Sequence, residues 1–390
     1  MNILLVELCG NRPEFNEPLG LGCLSSALTR DKRLVITDMS FHWNLEHGPY
    51  PPSDKIREAH IIGVSIQIRA FPNFRELYEH IRKINSKALI VVGNVVPTFG
   101  YEQILQEFPE VVCVRSEGEL AICELAFIHQ SRQIAPNALH QVAGIAFQNG
   151  DSAQVNPIKL SNLKEYSHPD RPFLSFIREK GGIARIEGSR GCHWGRCEFC
   201  SVAERFGFSN WRQFEVAHIV EELRILSSNG IRSPYFTDED FFGRNYERAI
   251  SLAHAIIAAK KLGEIHADMN FFISSLAADI KDDRGYEAVR HLRAAGLREV
   301  FVGIESGVKD QLKRFQKKAT ADTNTLALER LSAIGLQVDI GYIMFDPFTK
   351  FEDLSIHIDY LRKLTLDGCH SRVIKGLRIQ PGLPPVNEDA

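Results

Sequence analysis

Short apolar runs recur from the second residue onward, and an amphipathic stretch follows each of them. NILLVEL (2–8), LVITDM (34–39), IIGVSI (61–66), ALIVVG (88–93) and VVCVR (111–115) read as buried parallel strands. NFRELYEHIRKINS (73–86) and ELAICELAFIHQ (119–130) carry helical periodicity between them. This alternation predicts an α/β fold with an open, doubly wound sheet over residues 1–150. The pattern then breaks at SNLKEYSHPDRP (161–172), polar and with two prolines, which marks a linker over 151–180. Alternation resumes with IARIEG (183–188), SPYFTD (233–238), DMNFFIS (268–274), REVFVGIE (298–305), LQVDIGYIM (336–344) and HSRVIKGLRIQ (370–380). Helical stretches such as VAHIVEELRILSSNG (216–230) and TLALERLSAIG (325–335) separate them. Six strand–helix repeats over 181–390 predict a partial (β/α)6 barrel, with chemistry on the loops at the carboxyl ends of its strands.

Charge narrows the partners. Lysine and arginine number 46 against 49 aspartates and glutamates, a net charge of −3. That balance gives no field for nucleic acid or an anionic membrane. The basic cluster LKRFQKK (312–318) reads as a solvated helix face. Glu7 interrupts the apolar opening and no cleavage site follows, so the opening reads as a strand rather than a signal peptide. No apolar run reaches the length of a membrane span. Eight cysteines in 390 residues are too sparse for a disulfide framework, which fits a reducing cytoplasm.

Three of those eight stand together in GCHWGRCEFCS (191–201), in the loop after the first barrel strand: Cys192, Cys197 and Cys200. A structural zinc site needs four ligands, and His193 is the only candidate for the fourth. A plant-type two-iron ferredoxin uses the same C-x4-C-x2-C spacing but needs a fourth cysteine. The only downstream cysteine is the distant Cys369. Three unligated thiols are the plain alternative. The remaining reading is a four-iron cluster held by three thiolates, whose open iron takes a chelating small molecule.

These residues resemble the radical S-adenosylmethionine (SAM) superfamily. Its motif is C-x3-C-x2-C with an aromatic residue before the last cysteine. Phe199 matches that aromatic; the first gap here is one residue longer, with Gly195 placed to absorb it. The resemblance is strongest to the branch with an N-terminal, Rossmann-like cobalamin (B12)-binding domain. PLGLGCLSSAL (18–28), IVVGNVVPT (90–98) and VRSEGELAICEL (114–125) resemble that domain. YFTDEDFF (235–242), VFVGIESG (300–307), GYIMFDPFT (341–349) and QPGLP (380–384) match the TIM-type barrel in order. The resemblance implies a [4Fe-4S] cluster on Cys192, Cys197 and Cys200, which cleaves SAM reductively to a radical that abstracts hydrogen from an unactivated carbon. Phe199 would pack on adenine, Asp238 and Asp240 would lie near the methionine portion, and Ser274 and Glu305 would contact ribose or methionine. A helix N-cap is the alternative for the carboxylates. A flavodoxin- or ferredoxin-type reductant is implied as the partner.

The mutase-type D-x-H-x-x-G motif is absent. The branch usually carries a double glycine after the fourth strand and G-E-G-E after the fifth. Here Gly93 is followed by Asn94, and Ser116 stands before Glu117. These four are the candidate cobalamin contacts, while His42, Trp43 and His47 read as pocket lining or core packing. With cobalamin bound, the expected reaction is methyl transfer to a natural-product or peptide substrate. Without it, the expected chemistry is epimerisation, rearrangement or carbon–carbon bond formation, with Cys369 as hydrogen-atom donor and Cys9 or Cys23 behind it. A non-catalytic iron–sulfur sensor or carrier stands as the non-enzymatic alternative.

Overall fold

The computed structural model describes residues 1–10, 15–132, 136–207 and 209–364. The chain divides into two compact units, Met1–Gly182 and Ile183 onward.

The first unit is one seven-stranded sheet. Its strands are β1 (Asn2–Leu8), β2 (Asp38–Trp43), β3 (Ile61–Ile66), β4 (Leu89–Gly93), β5 (Val112–Val114), β6 (Ile145–Asn149) and β7 (Ser152–Val155). They lie in the order β2-β1-β3-β4-β5-β6-β7. The first five are parallel, and β6 and β7 close the edge as an antiparallel hairpin. Strands such as β1 and β3 are buried on both faces because helices cover both, so they carry unbroken apolar runs. The helix Phe71–Ile84 buries Phe74, Leu77 and Ile81, one stripe at helical spacing. The 2-1-3-4-5 order places the topological switch between β1 and β3, where such sheets open a crevice.

Two expectations shift. The apolar run 34–36 is not in the sheet: Val35 is exposed, and β2 begins at Asp38, opposite Asn2. An edge strand has one neighbour and needs no apolar run, so composition pointed to the wrong three residues. The segment 151–180 is not a free linker. Its start forms β7, and its end packs on the first unit. Arg171 pairs with Glu17 at 2.8 Å, both buried, and Ser25 donates to Asp170 at 2.5 Å. Phe173 and Phe176 stand edge-on to the buried Trp43.

The second unit carries five parallel strands in sequential order: β8 (Arg185–Ile186), β11 (Tyr235–Phe236), β12 (Phe271–Leu276), β13 (Leu297–Glu305) and β14 (Gln337–Tyr342). Successive neighbours with intervening helices are what a (β/α) barrel requires. Between β8 and β11 an antiparallel pair forms, β9 (Ser189–Gly191) with β10 (Trp211–Gln213), flanking the cysteine loop. The sixth strand, 370–380, and QPGLP lie outside the described residues. No helix among the described residues is long and apolar enough to cross a membrane.

Candidate functional site

The cysteine loop leaves β9 directly. Cys192 is buried, and the backbone N–H groups of Trp194 and Gly195 point at its sulfur. Gly195 has φ +54°, the left-handed turn that lets the longer first gap fold back. The N–H of Cys200 donates to the Cys197 carbonyl at 3.0 Å, and the Val202 N–H points at the Cys200 sulfur. All three thiols are free. Burial pushes Cys192 up to about 12 and Cys197 to about 11, and raises Cys200 too. Three clustered cysteines, two of whose sulfurs receive amide hydrogens, form the donor set of an iron–sulfur centre when they bind as thiolates. The other described cysteines, Cys9, Cys23, Cys113 and Cys123, all belong to the first unit. His193 does not join the thiols. Its Nδ1 lies 2.6 Å from Asp240 Oδ2, and its ligand atoms group with Asp240 and Asp279 within 4.8 Å. The donor set therefore fits a cluster with three protein ligands and not the four-ligand zinc site.

A cation sits against these sulfurs. Lys317 pairs with Glu305 at 3.1 Å, and both side chains are buried. Burial alone opposes its charge, but Glu305, Cys197 and Cys200 outweigh that and raise its pKa. The same charge pulls Cys197 and Cys200 toward thiolate. The basic run 312–318 is thus not simply a solvated face. Leu312, Phe315 and Lys317 turn inward while Lys313, Gln316 and Lys318 stay out. The exposed cations around it hid Lys317 from sequence reasoning.

Phe199 packs edge-on to Phe315 with centroids 5.2 Å apart, and the Lys317 ammonium lies 5.9 Å from its ring. Glu305 ends β13 with φ +61°, an uncommon conformation for a non-glycine residue. Ser274 in β12 shares a hydrogen bond with the Tyr235 hydroxyl at 3.0 Å.

Asp238 and Asp240 are occupied by the protein. Asp238 accepts from the Gly188 N–H at 2.9 Å and the Ser189 hydroxyl at 2.5 Å. Burial pushes it up to about 7, against the pull of Arg248, Ser189 and Gly188. Asp240, fully buried, accepts from the His193 N–H at 3.1 Å, from the His193 ring, and from the Gly243 N–H at 3.1 Å. Arg248 threads beneath, donating to the carbonyls of Gly188 and Phe241. A Cβ on Gly188 would lie 2.9 Å from Asp238 and 3.0 Å from Arg248, so a side chain there would push on both. The next helix is capped by Asn245 instead. These carboxylates therefore neither cap that helix nor stand open to a ligand; they fasten β9 and the cysteine loop to the strand end. Asp279 joins the group, pushed up to about 6 by burial and the Asp240 charge.

In the first unit both positions that depart from glycine take positive φ. Asn94 has φ +83° and ψ −164°, a region almost reserved for glycine. Its side chain accepts from the Val95 N–H at 2.7 Å and donates to the Ser65 hydroxyl at 2.9 Å. Ser116 has φ +70°, and its N–H donates to Thr98 Oγ1 at 3.2 Å. Gly93 has no atom nearer than 3.9 Å to the position of a Cβ, and Glu117 accepts from the Ser161 N–H at 2.9 Å. The edge has glycine-like turns at both candidate cofactor positions, so its backbone fits the corrin-binding role. His42 is buried with Nε2 at 2.9 Å from the Gly48 carbonyl, and burial lowers it to about 4. Trp43 donates to the Cys9 sulfur at 3.3 Å. Both belong to the core. Cys369 lies outside the described residues.

Comparison with known proteins agrees with this geometry. The B12 binding domain model matches residues 9–126, and the radical SAM superfamily model matches 186–361. The 4'-phospho-dehydrooxetanocin synthase of Priestia megaterium is 28% identical over 388 residues, covering 93% of this chain and 50% of that enzyme. Hopanoid C-3 methylase of Methylococcus capsulatus is 24% identical over 343 residues, covering 84% of this chain and 61% of that protein. The structure of the cobalamin-dependent SAM radical enzyme OxsB, with aqua-cobalamin and SAM bound, superposes with a TM-score of 0.80 at 26% identity. It covers 97% of this chain and 53% of OxsB. The methyltransferase TsrM from Kitasatospora setae shares the fold at a TM-score of 0.78 and 18% identity, over 93% of this chain and 73% of TsrM. The chain spans about half the length of the synthase and of OxsB. Residues 9–126 are thus a B12-binding domain and residues 186–361 a domain of the radical SAM superfamily, a pair that implies cobalamin, SAM and a [4Fe-4S] cluster as cofactors.

Proposed function

We propose that the chain performs cobalamin-dependent radical chemistry at an unactivated carbon of a small natural-product or peptide substrate, with methyl transfer as the reaction. The observation that carries this is the three-thiol loop at a barrel strand end, on a chain whose B12-type edge keeps glycine-like turns at Asn94 and Ser116. When bound, the cluster and SAM supply a 5'-deoxyadenosyl radical, and cobalamin carries the methyl group. The chain's own work is to hold and exclude. Cys192, Cys197 and Cys200 hold the cluster, and Lys317 balances their charge. Phe199 offers a face to adenine, and Glu305 and Ser274 line the strand ends for the rest of SAM. Asp238 and Asp240 position the loop. Gly93, Asn94, Ser116 and Glu117 shape the cobalamin edge.

The test is anaerobic. Reconstituted protein with dithionite and SAM should release 5'-deoxyadenosine and methionine, and should hold one equivalent of cobalamin by its visible spectrum. Protein that retains cluster and SAM but yields no deoxyadenosine would leave only a sensor or carrier role. The 28% identity to the 4'-phospho-dehydrooxetanocin synthase favours a second reading, radical rearrangement of a phosphorylated substrate without methyl transfer. The two differ in S-adenosylhomocysteine, a product of methylation alone.

A further inference from the structure

The six residues from His193 to Glu198, which contain the first gap, do more than carry thiols to a metal. Trp194 and Arg196 face outward and, with Lys313, Gln316 and Lys318, line an open cavity of about 360 Å³ with no carboxylate in its walls. Arg196 and Lys318 lie over the Trp194 ring, 5.6 and 5.2 Å from its centroid. The indole is fixed in turn by its N–H, which donates to the Gln316 carbonyl at 2.9 Å. The cations are therefore held in place on a rigid aromatic plate rather than spread on loose stems.

Some exposed arginines are engaged by carboxylates: Arg33 with Asp31 and Glu124, Arg75 with Glu107, Arg224 with Glu264. Among the described residues, none of Arg196, Lys313 and Lys318 has an ion-pair partner. In a chain of net charge −3 this is a local positive face, not a share of a general field. It also lies at the metal loop itself. Arg196 precedes Cys197, so their Cα atoms are about 3.8 Å apart.

Resting on the proposed function, which needs an outside electron for each cleavage of SAM, we propose that this face is the docking surface for a small acidic electron-transfer protein of the flavodoxin class. The anionic rim of that partner would meet Arg196, Lys313 and Lys318, with Trp194 as the flat contact at the centre. In the step, a flavin hydroquinone gives up one electron and becomes the semiquinone, its proton passing to solvent. The oxidised cluster on the three cysteines gains that electron, and no covalent bond forms or breaks.

The test uses the full chain with cluster and cobalamin in place, and follows anaerobic bleaching of the cluster by a reduced acidic flavodoxin in a stopped-flow instrument. The wild-type bimolecular rate should fall steeply as salt rises. The double variant Lys313→Glu/Lys318→Glu should lower it about ten-fold or more at low ionic strength and flatten the salt dependence. Arg196→Gln should give a smaller loss in the same direction. Dithionite reduction and dithionite-driven release of deoxyadenosine should be unchanged in all three, which also confirms intact clusters. Equal flavodoxin rates in wild type and variants would overturn the docking surface. So would a loss of dithionite-driven turnover through a raised substrate KM, the outcome if the face instead holds an anionic substrate. Absence of deoxyadenosine from wild-type protein with dithionite would sink the proposed function separately.

Discussion

The two units reach order by different means. In the first, strands of up to seven residues bury apolar side chains on both faces, and the helix stripe of Phe74, Leu77 and Ile81 closes over them. In the second, the two barrel strands that precede and follow the metal loop along the chain, β8 and β11, are two residues each. What fixes that end is polar: Asp238, Asp240, Arg248 and Ser189, all buried and bonded to one another or to backbone. Apolar burial is non-directional and tolerates small losses, whereas a buried polar cluster fails when one member leaves. The region that must hold a reactive centre still is built from the less forgiving material.

The largest effect that sharpens this contrast is Cys197→Ala. It should abolish the cluster absorbance and all deoxyadenosine, while the first unit keeps its cobalamin spectrum; iron analysis and anaerobic assay check both. Next comes Arg248→Met, which leaves Asp238 buried without its cation and should cost about 3–5 kcal/mol in denaturant unfolding. Asn94→Ala and Asn94→Gly should then differ by about 1–3 kcal/mol in favour of glycine, because alanine in that backbone region carries the strain without the two hydrogen bonds. Smallest is Ile62→Val in the centre of the first sheet, at about 1 kcal/mol. A loss from Ile62→Val equal to that from Arg248→Met would break the comparison outright.

What the sequence made legible follows the same division. The first sheet could be read from its apolar runs because burial on both faces writes itself into composition. The exception is β2, where Asp38–Trp43 pairs on one side only and has no such need. The cysteines were legible because spacing along the chain is what a loop-borne ligand set requires. The roles of Asp238 and Asp240 were not. A strand-end carboxylate looks the same in sequence whether it faces a cofactor or a backbone amide, and only Gly188, Ser189 and His193 decide it. Lys317 was hidden for a similar reason: Lys313, Lys317 and Lys318 look alike in one basic run, and only the helix that ends at Arg314 and the turn after it decide which of them faces inward.

The cysteine loop is stitched to the chain that follows β13. The Trp194 indole bonds to Gln316, the Glu198 N–H donates to the Phe315 carbonyl at 3.2 Å, and Gln316 donates back to Glu198. Lys317, the next residue, grips Glu305. The cysteine loop and the strand end at Glu305 are thereby joined through two consecutive residues, Gln316 and Lys317. A guest that displaced Glu305 would bear, through Lys317, on the loop that carries the three cysteines.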